Sequence, residues 1–335
     1  MIPVILQASV PLQILPGSFT GLAQFDTQAL SNQIAAPISI HSLQFDLAIP
    51  ENVITGLPAW RAFSPTAIAL AAQISGRVGL HDLTNGYTSI VALGPSRRSE
   101  LEVPSFFADG VYFGPSDDTA SLASQVAWRF DRPLILRPGV GFDFTARLDP
   151  VSLSYMGLPD GITSYQAATL TISAIGEILP KSAKVPASQM VPFAAGGTIV
   201  SPGGSPIPQF DVFSGEGSLV NRLAKDVQGH RIVGTRFFTP NSAAVPNVAF
   251  LYDGQGAYGQ DRLEMTFPGG RALSGNGPIP VESVFGRTHA LSGDFDFPAG
   301  QRVVVRWLGA SRSTGATAAR LQYTLAALGD RAEVL

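Results

Sequence analysis

The stretch FDRPLILRPGVGFDFTARL, residues 130–148, has a counterpart in FDFPAGQRVVVRWL, residues 295–308. Each begins with a Phe-Asp pair, turns at a Pro/Gly corner and continues as an alternating run with an arginine near its end, Arg147 or Arg306. A loop and a closing apolar run then follow in each half: AATLTISAIGEIL at 167–179 and AARLQYTLAALGDRAEVL at 318–335. The same order of features, found twice in one chain, indicates an internal duplication.

The duplicated pattern extends more weakly to the starts of the halves, where ISIHSLQF (38–45) resembles RIVGTRFF (231–238). Two candidate helices, 118–128 and 280–286, each precede a Phe-Asp pair. Elsewhere, short alternating runs recur at a spacing of roughly ten residues, which is typical of β-sandwiches and barrels. Closed jelly rolls leave few exposed strand edges. The sequence therefore predicts an all-β protein of two tandem eight-stranded jelly-roll β-sandwiches with short helices.

A Pro/Gly-rich stretch, PKSAKVPASQMVPFAAGGTIVSPGGSPIP, separates the two halves. Such a composition is typical of linkers between domains. We therefore predict an N-terminal jelly roll over 1–180, a linker over 181–208 and a C-terminal jelly roll over 209–335. At 335 residues the chain is long enough for each half to bury its own core.

The composition limits the partners of this protein. Charged residues make up 14% of the chain and apolar residues 45%, whereas about 25% of residues are charged in typical soluble proteins. This deficit favours a surface covered by copies of the chain or by other partners, although a large core under a Ser/Thr/Gly-rich surface would also explain it. The net charge is −3 and no basic block occurs, so direct, sequence-specific binding of nucleic acid is not expected. The absence of cysteine excludes disulfides and thiolate sites.

The first ten residues, MIPVILQASV, are uncharged. They lack the basic start of a secretion signal, and Pro3, Pro11 and Pro16 interrupt any helix long enough to cross a bilayer. We therefore predict an apolar arm over Met1 to Val10 that leads into a first strand, VPLQIL.

Three glycines, Gly254, Gly256 and Gly259, have the spacing of a dinucleotide-binding fingerprint. That motif binds a pyrophosphate only where a helix follows, because the helix N-terminus supplies the N–H groups. The following residues, QDRLEMTFPGG, instead alternate with the period of a strand and end in a Pro-Gly-Gly turn. The glycines therefore indicate a loop between two strands.

No catalytic, cofactor-binding or metal-binding residues are predicted. The four histidines, His41, His81, His230 and His289, are isolated in sequence and no His-x-His pair occurs. The remaining candidates have ordinary structural interpretations. We interpret the acidic residues as solvated: the pairs Asp117-Asp118, Asp294-Asp296 and Glu100-Glu102, and the loop acids Asp253 and Asp261. We interpret the tryptophans as core residues: Trp60, Trp128 and Trp307. No serine lies in a nucleophile elbow.

Two tandem jelly rolls with little charge, no cysteine and no catalytic constellation resemble the double jelly-roll major capsid proteins of tailless icosahedral viruses. That lineage includes the adenovirus hexon and the coat proteins of membrane-containing bacteriophages. The resemblance implies a structural protein and no enzyme. It implies homotrimers that form pseudo-hexameric capsomers, tile an icosahedral shell in the virion and assemble in the host cytoplasm. It also allows penton or minor capsid proteins and an inner membrane as further partners.

Two other functions fit the same sequence. A virion appendage or receptor-binding protein would also be rich in strands and poor in charge. A carbohydrate-binding or carbohydrate-cleaving β-sandwich is the alternative outside viruses, with its carboxylates drawn from the acidic pairs named above.

Overall fold

The computed structural model describes residues 2–14, 21–48, 71–93, 124–149, 165–200, 212–241, 250–251, 262–273, 277–280, 290–310 and 318–335. The elements that lie wholly within these ranges are strands, apart from two single 3-10 turns at Ile90–Ala92 and Pro268–Gly270. The predicted helix over 118–128 is wrong in its second half, because a strand begins at Ser124. Pro280 likewise lies in a strand, and the rest of both predicted helices lies outside the described residues.

The first sandwich contains strands β1 to β9. Their bounds are β1 Ile2–Ile14, β2 Ala23–Gln24, β3 Ile38–Ala48, β4 Ala72–Val78, β5 His81–Asp82, β6 Thr88–Ser89, β7 Ser124–Leu136, β8 Phe142–Leu148 and β9 Tyr165–Ile178. One sheet has the order β1-β9-β3-β7, and the facing sheet has the order β2-β8-β4-β5, with β6 also paired to β4.

The second sandwich contains strands β10 to β19. Their bounds are β10 Gln189–Val200, β11 Val212–Val220, β12 Val227–Asn241, β13 Phe250–Leu251, β14 Arg262–Phe267, β15 Arg271–Ala272, β16 Ile279–Pro280, β17 Ala290–Phe297, β18 Arg302–Ala310 and β19 Ala318–Glu333. One sheet has the order β10-β19-β12, with β13 and β17 both paired to β12. The facing sheet has the order β11-β18-β14-β15, with β16 also paired to β14.

Both sandwiches have the strand order of a jelly roll. For this comparison, β5 and β6 count as one interrupted strand along β4, and β15 and β16 count as one along β14. The short β13 is not counted. Each sandwich then has eight strands in sheets of order 1-8-3-6 and 2-7-4-5 along the chain. This order arises when a long hairpin wraps around a core, so that the first and last strands become neighbours. The predicted double jelly roll is confirmed.

A buried asparagine occupies the same position in each sandwich. Asn32 donates to the carbonyls of Ala36 (2.9 Å) and Leu136 (3.0 Å) and accepts from the Ile34 N–H. Asn221 donates to the carbonyls of Lys225 (2.9 Å) and Phe297 (2.7 Å) and accepts from the Leu223 N–H. The backbone carbonyl of each asparagine also accepts a hydrogen bond from the N–H of a corner glycine with positive φ, Gly139 for Asn32 and Gly300 for Asn221. The predicted Pro/Gly corners are therefore equivalent, and the duplication is visible in individual hydrogen bonds.

A β-bulge with a histidine also recurs. It lies at His41 in β3 and at His230 in β12, where the pairing register shifts. ISIHSLQF therefore aligns with VQGHRIVG, four residues before the predicted counterpart RIVGTRFF. The prediction matched apolar residues and so found the right pair of strands in the wrong register. The predicted match of the two Phe-Asp pairs is also displaced by four residues. Phe295 in β17 corresponds to Leu134 in β7 and not to Phe130.

Strand β1 occupies most of the segment predicted to be a free arm. It pairs with β9 along its whole length, from Ile2↔Ile178 to Ile14↔Tyr165. The reason is its alternation, since Leu6, Ala8, Val10 and Leu12 are all buried in the core. The prediction of an arm over Met1 to Val10 is therefore wrong for the described residues.

Strand β10 lies within the predicted linker, so the region over 181–208 is not irregular throughout. It repeats the beginning of β1, because Met190-Val191-Pro192-Phe193 matches Met1-Ile2-Pro3-Val4. The register agrees as well: Pro3 pairs with Glu177, and Pro192 pairs with the equivalent Asp330. Proline and glycine are tolerated here because β10 is at the edge of its sheet.

Two hydrophobic clusters form the core. One lies within the second sandwich and includes Phe193, Met265 and Phe297. The other fills the first sandwich and continues into the second through Val191, Ala194, Val233, Ala326 and Leu328. The two sandwiches are therefore joined by buried apolar packing.

Candidate functional site

The contact between the sandwiches brings together apolar packing, backbone hydrogen bonds and charged side chains. Its backbone centre is Ala194 of β10, whose N–H donates to the Leu83 carbonyl (2.8 Å) and whose carbonyl accepts from the Asn85 N–H (2.9 Å). The Asn85 side chain donates to the Val220 carbonyl at 2.6 Å. The segment after β5 of the first sandwich thus covers the outer edge of β10.

The side-chain amide of Gln189, at the start of β10, binds the edge of the first sandwich. Gln189 accepts from the Ile135 N–H (2.8 Å) and donates to the Ile135 carbonyl (2.9 Å). Ile135 is in β7, at the edge of the first sandwich. One glutamine therefore satisfies the free backbone groups of a strand edge, which would otherwise be costly to bury.

The outer face of the β10-β19-β12 sheet is apolar where it meets the first sandwich. Ala194, Val233, Ala326 and Leu328 lie on it and are at most 2% exposed. Gly196 lies on the same face, and a Cβ at that position would come within 2.7 Å of the Thr88 methyl group. A close approach of this kind requires glycine, so the sequence of β10 is shaped by the partner sandwich.

A buried charge network lies beside this apolar face. Glu333 accepts from Lys225 and Arg331 and lies 3.2 Å from His81 Nδ1. Arg331 also donates to the Asp82 carbonyl at 2.6 Å. Burial disfavours the charged carboxylate of Glu333, but the hydrogen bonds from Lys225 and Arg331 outweigh burial and lower its pKa. The network joins the end of β19 to β5 of the first sandwich.

A second cluster crosses the contact at the bulge of β12. His230 Nε2 is 3.3 Å from Asp131 Oδ2 of β7, and His230 Nδ1 is 3.9 Å from Asp330 Oδ2 of β19. Burial raises the pKa of Asp330, Asp131 raises it further, and His230 and Arg132 oppose the shift. One ligand atom from each of the three residues lies within 4.8 Å of the others, so these are the described residues best placed to hold a metal ion. This Asp131–His230–Asp330 cluster connects the two sandwiches.

The histidines that are isolated in sequence thus acquire carboxylate neighbours in the fold. His41 lies 3.8 Å from Glu177, and His81 and His230 contact acidic residues as described above. The sequence did not predict these pairs, although the shared Gly-Glu and Gly-Asp dipeptides at 176–177 and 329–330 were a usable signal. His289 lies outside the described residues.

The fingerprint glycines lie outside the described residues, but their flanks are described. A strand precedes them at Phe250–Leu251 and a strand follows at Arg262–Phe267, as predicted. The Pro-Gly-Gly turn is also confirmed, with positive φ at Gly269 and Gly270. The helix that a dinucleotide-binding motif needs is therefore replaced by β14.

The remaining candidates are divided between core, surface and undescribed segments. Trp128 is 2% exposed and packs edge-on against Phe130, with ring centroids 5.7 Å apart, as expected for a core residue. Asp294 and Asp296 are exposed at the rim of a cleft of about 790 Å³ in the second sandwich, where Phe267, Leu291 and Phe295 form the apolar wall. Trp307 lies in β18, but its side chain is outside the described part of the structure. The other candidates lie outside the described residues: Trp60, Glu100, Glu102, Asp117, Asp118, Asp253 and Asp261. Within the described ranges, no helix has the length and apolar character needed to span a membrane.

No protein-family model matches the sequence, and no curated protein matches it. Among solved structures, the chain is similar to the mavirus major capsid protein, with 9% identity, a TM-score of 0.42 and coverage of 99% of this chain and 87% of that one. It is similar to a chain of the Sputnik virophage structure, with 9% identity, a TM-score of 0.38 and coverage of 97% and 86%. It is also similar to PNGF-II, with 7% identity, a TM-score of 0.28 and coverage of 97% and 65%.

Proposed function

We propose that this chain is the major capsid protein of an icosahedral virus. Three copies close around a threefold axis into a six-lobed capsomer, and capsomers tile the virion shell. The observation that carries the proposal is the duplication of one jelly roll within one chain. We call front the side of a sandwich formed by the segment after β5 (Leu83–Asn85) or after β15, and back the outer face of the sheet β1-β9-β3 or β10-β19-β12. Within the chain, the front of the first sandwich binds the back of the second. A head-to-tail contact of this kind, repeated from copy to copy, forms a closed ring when the rotation between successive lobes divides a full turn evenly.

The buried contact between the sandwiches supports this role. A ring closes only if the angle between successive lobes is constant, and the apolar packing through Ala194 and Leu328 restrains that angle. The Asp131–His230–Asp330 cluster and the Glu333 network, through His81 and Asp82, add polar restraints at two further places. Each acts across the contact, which is expected where the geometry of one chain sets the geometry of a shell.

The composition supports the same proposal. A charged fraction of 14% leaves little ionic surface for a free monomer, and surfaces buried between subunits are depleted of charge. Neighbouring capsomers are the main partners in this proposal, with penton or minor capsid proteins at the vertices. Because Ile2–Val10 pair with β9 along their whole length, they do not form a free arm toward another partner. The proposed role is structural and not catalytic, in the virion shell, with assembly in the host cytoplasm.

Negative-stain electron microscopy with light scattering of the purified protein tests the proposal. We expect trimers with a six-lobed top view, or closed shells. Two-lobed monomers at every concentration would contradict it. A long, thin trimer would instead favour a virion appendage.

A further inference from the structure

The backs of the two sandwiches are equivalent in structure but differ in exposure. Ile5 of β1 corresponds to Ala194 of β10, and Ile2 corresponds to Val191, from the shared Met-x-Pro start of both strands. Ile5 is 60% exposed and Ile2 64% exposed, whereas Ala194 and Val191 are fully buried. The second sandwich is covered here by the first, and the first has large apolar side chains in water.

The histidine–acid pairs show the same difference. The side chains of His230 and Asp330 are 17% and 12% exposed, because the first sandwich covers them. The side chains of the equivalent His41 and Glu177 are 47% and 26% exposed. The back of the first sandwich therefore has the same elements as a surface that is buried elsewhere in the chain.

The segment that covers the second sandwich also has a counterpart. Leu83 follows β5 and donates its N–H to the Gly76 carbonyl at 2.7 Å. Leu273 follows β15 and donates its N–H to the equivalent Met265 carbonyl at 2.8 Å. Ile279 of β16 corresponds to Thr88 of β6, which packs on Gly196. The front of the second sandwich thus has the element that the back of the first sandwich lacks.

The outer edge of β1 is open to such an element. Between Pro3 and Pro11, no other described strand or backbone hydrogen bond lies along it. Proline lacks an N–H, so the two prolines limit pairing at both ends of this edge. Between them, the outward N–H and carbonyl of Ile5 have no backbone partner among the described residues, whereas those of Ala194 bond to Leu83 and Asn85.

We propose that Leu273 and Ile279 of one copy bind the β1 edge of a second copy at Ile5, as Leu83–Asn85 bind Ala194 within one chain. This inference rests on the proposed function, because it assigns the residues of the contact between copies in the trimer. The contact within the chain and the contact between copies then alternate around the ring.

The first sandwich is more polar on this face than the second. Where the second sandwich has Val233 and Ala326, the first has Gln44 and Ser173, which are only 9% and 7% exposed in the single chain, so the exposed part of this face is at Ile2 and Ile5 of β1. Molecules that fold alone and then associate use such mixed surfaces, whereas permanently buried contacts are more apolar. Ile5 is then the main apolar anchor of this surface.

Light scattering of Ile5→Arg tests the inference. We expect the concentration at which the trimer dissociates to rise at least about tenfold, because the charge enters the centre of the contact. At a concentration at which both proteins are monomeric, the thermal unfolding should stay unchanged, because Ile5 is 60% exposed in the chain. Leu80→Arg is the matched control: Leu80 is 93% exposed and lies between β4 and β5, in the sheet that faces the sheet of β1, so its trimer should dissociate like the wild type.

Cross-linking gives an independent measurement, since the chain has no cysteine of its own. In Ile5→Cys/Leu273→Cys, a short bis-maleimide should join three chains into a covalent trimer, whereas each single variant should not. A wild-type trimer that Ile5→Arg leaves intact, or linkage only within one chain, would overturn the assigned contact and leave the capsid proposal standing. A wild-type protein that is monomeric at every concentration would overturn both.

Discussion

Replacing Asn221 with alanine removes the side-chain bonds that join three segments of the second sandwich. The amide group is fully buried; it donates to the carbonyls of Lys225 and Phe297 and accepts from the Leu223 N–H. The variant leaves two carbonyls and one N–H without these partners, and an unpaired buried polar group costs about 1–3 kcal/mol. Because water and small backbone shifts recover part of this cost, we expect a loss of about 3–5 kcal/mol in the free energy of unfolding.

Urea denaturation followed by circular dichroism measures this loss, provided that the slope of the transition is unchanged. Asn32→Ala should cost a similar amount, because Asn32 makes the same three side-chain bonds in the first sandwich. Gln228→Ala is the control: its side chain is exposed and makes one bond, at 3.1 Å, so we expect a change below about 0.5 kcal/mol. A loss below about 1 kcal/mol in Asn221→Ala would refute the role assigned to the buried amide.

Gly176→Ala and Gly329→Ala should each lower the melting temperature and cost at least about 2 kcal/mol, because a new Cβ would meet the Ser39 carbonyl oxygen at 2.0 Å or the Gln228 carbonyl oxygen at 2.5 Å. Gly293→Ala is the control, with no atom within 4 Å of its Cβ. The pKa of Glu333 is lowered in the fold, so ionised Glu333 stabilises the protein. The wild type should therefore have a larger free energy of unfolding than Glu333→Gln. This difference should be complete above pH 4.5 and disappear as the pH falls through the folded-state pKa. Asp330 has the opposite shift, so in parallel urea titrations Asp330→Asn should gain stability relative to the wild type as the pH rises above 3.8; a pH-independent difference would contradict the raised pKa.

Strand identity was predictable wherever alternation was strong. FDFTARL in β8 and RLEMTF in β14 alternate between core and solvent, and each appears as a strand with that pattern of burial. The glycine corner at Gly139 and Gly300 was predictable for a similar reason, because a positive φ selects glycine locally. The duplication and the jelly-roll class followed from these local signals.

Register and edges were not predictable in the same way. The alignment of β3 with β12 failed by four residues, because the bulge at His41 and His230 is set by pairing with a neighbouring strand. Strand β10 was predicted to be a linker, because at least one of its glycines serves a close approach that only the partner sandwich explains. Gly196, for example, lies against Thr88, which is more than a hundred residues away in the chain.

The local pattern of apolar and turn residues was sufficient to specify two β-sandwiches, since alternation and glycine conformation depend only on neighbours in the chain. The placement of His41, His81 and His230 beside acids and the covered edge at Ala194 depend on which strands become neighbours. That choice is made by burying two sheets against each other and one sandwich against the next. It is a property of long-range packing, and short-range sequence patterns do not encode it.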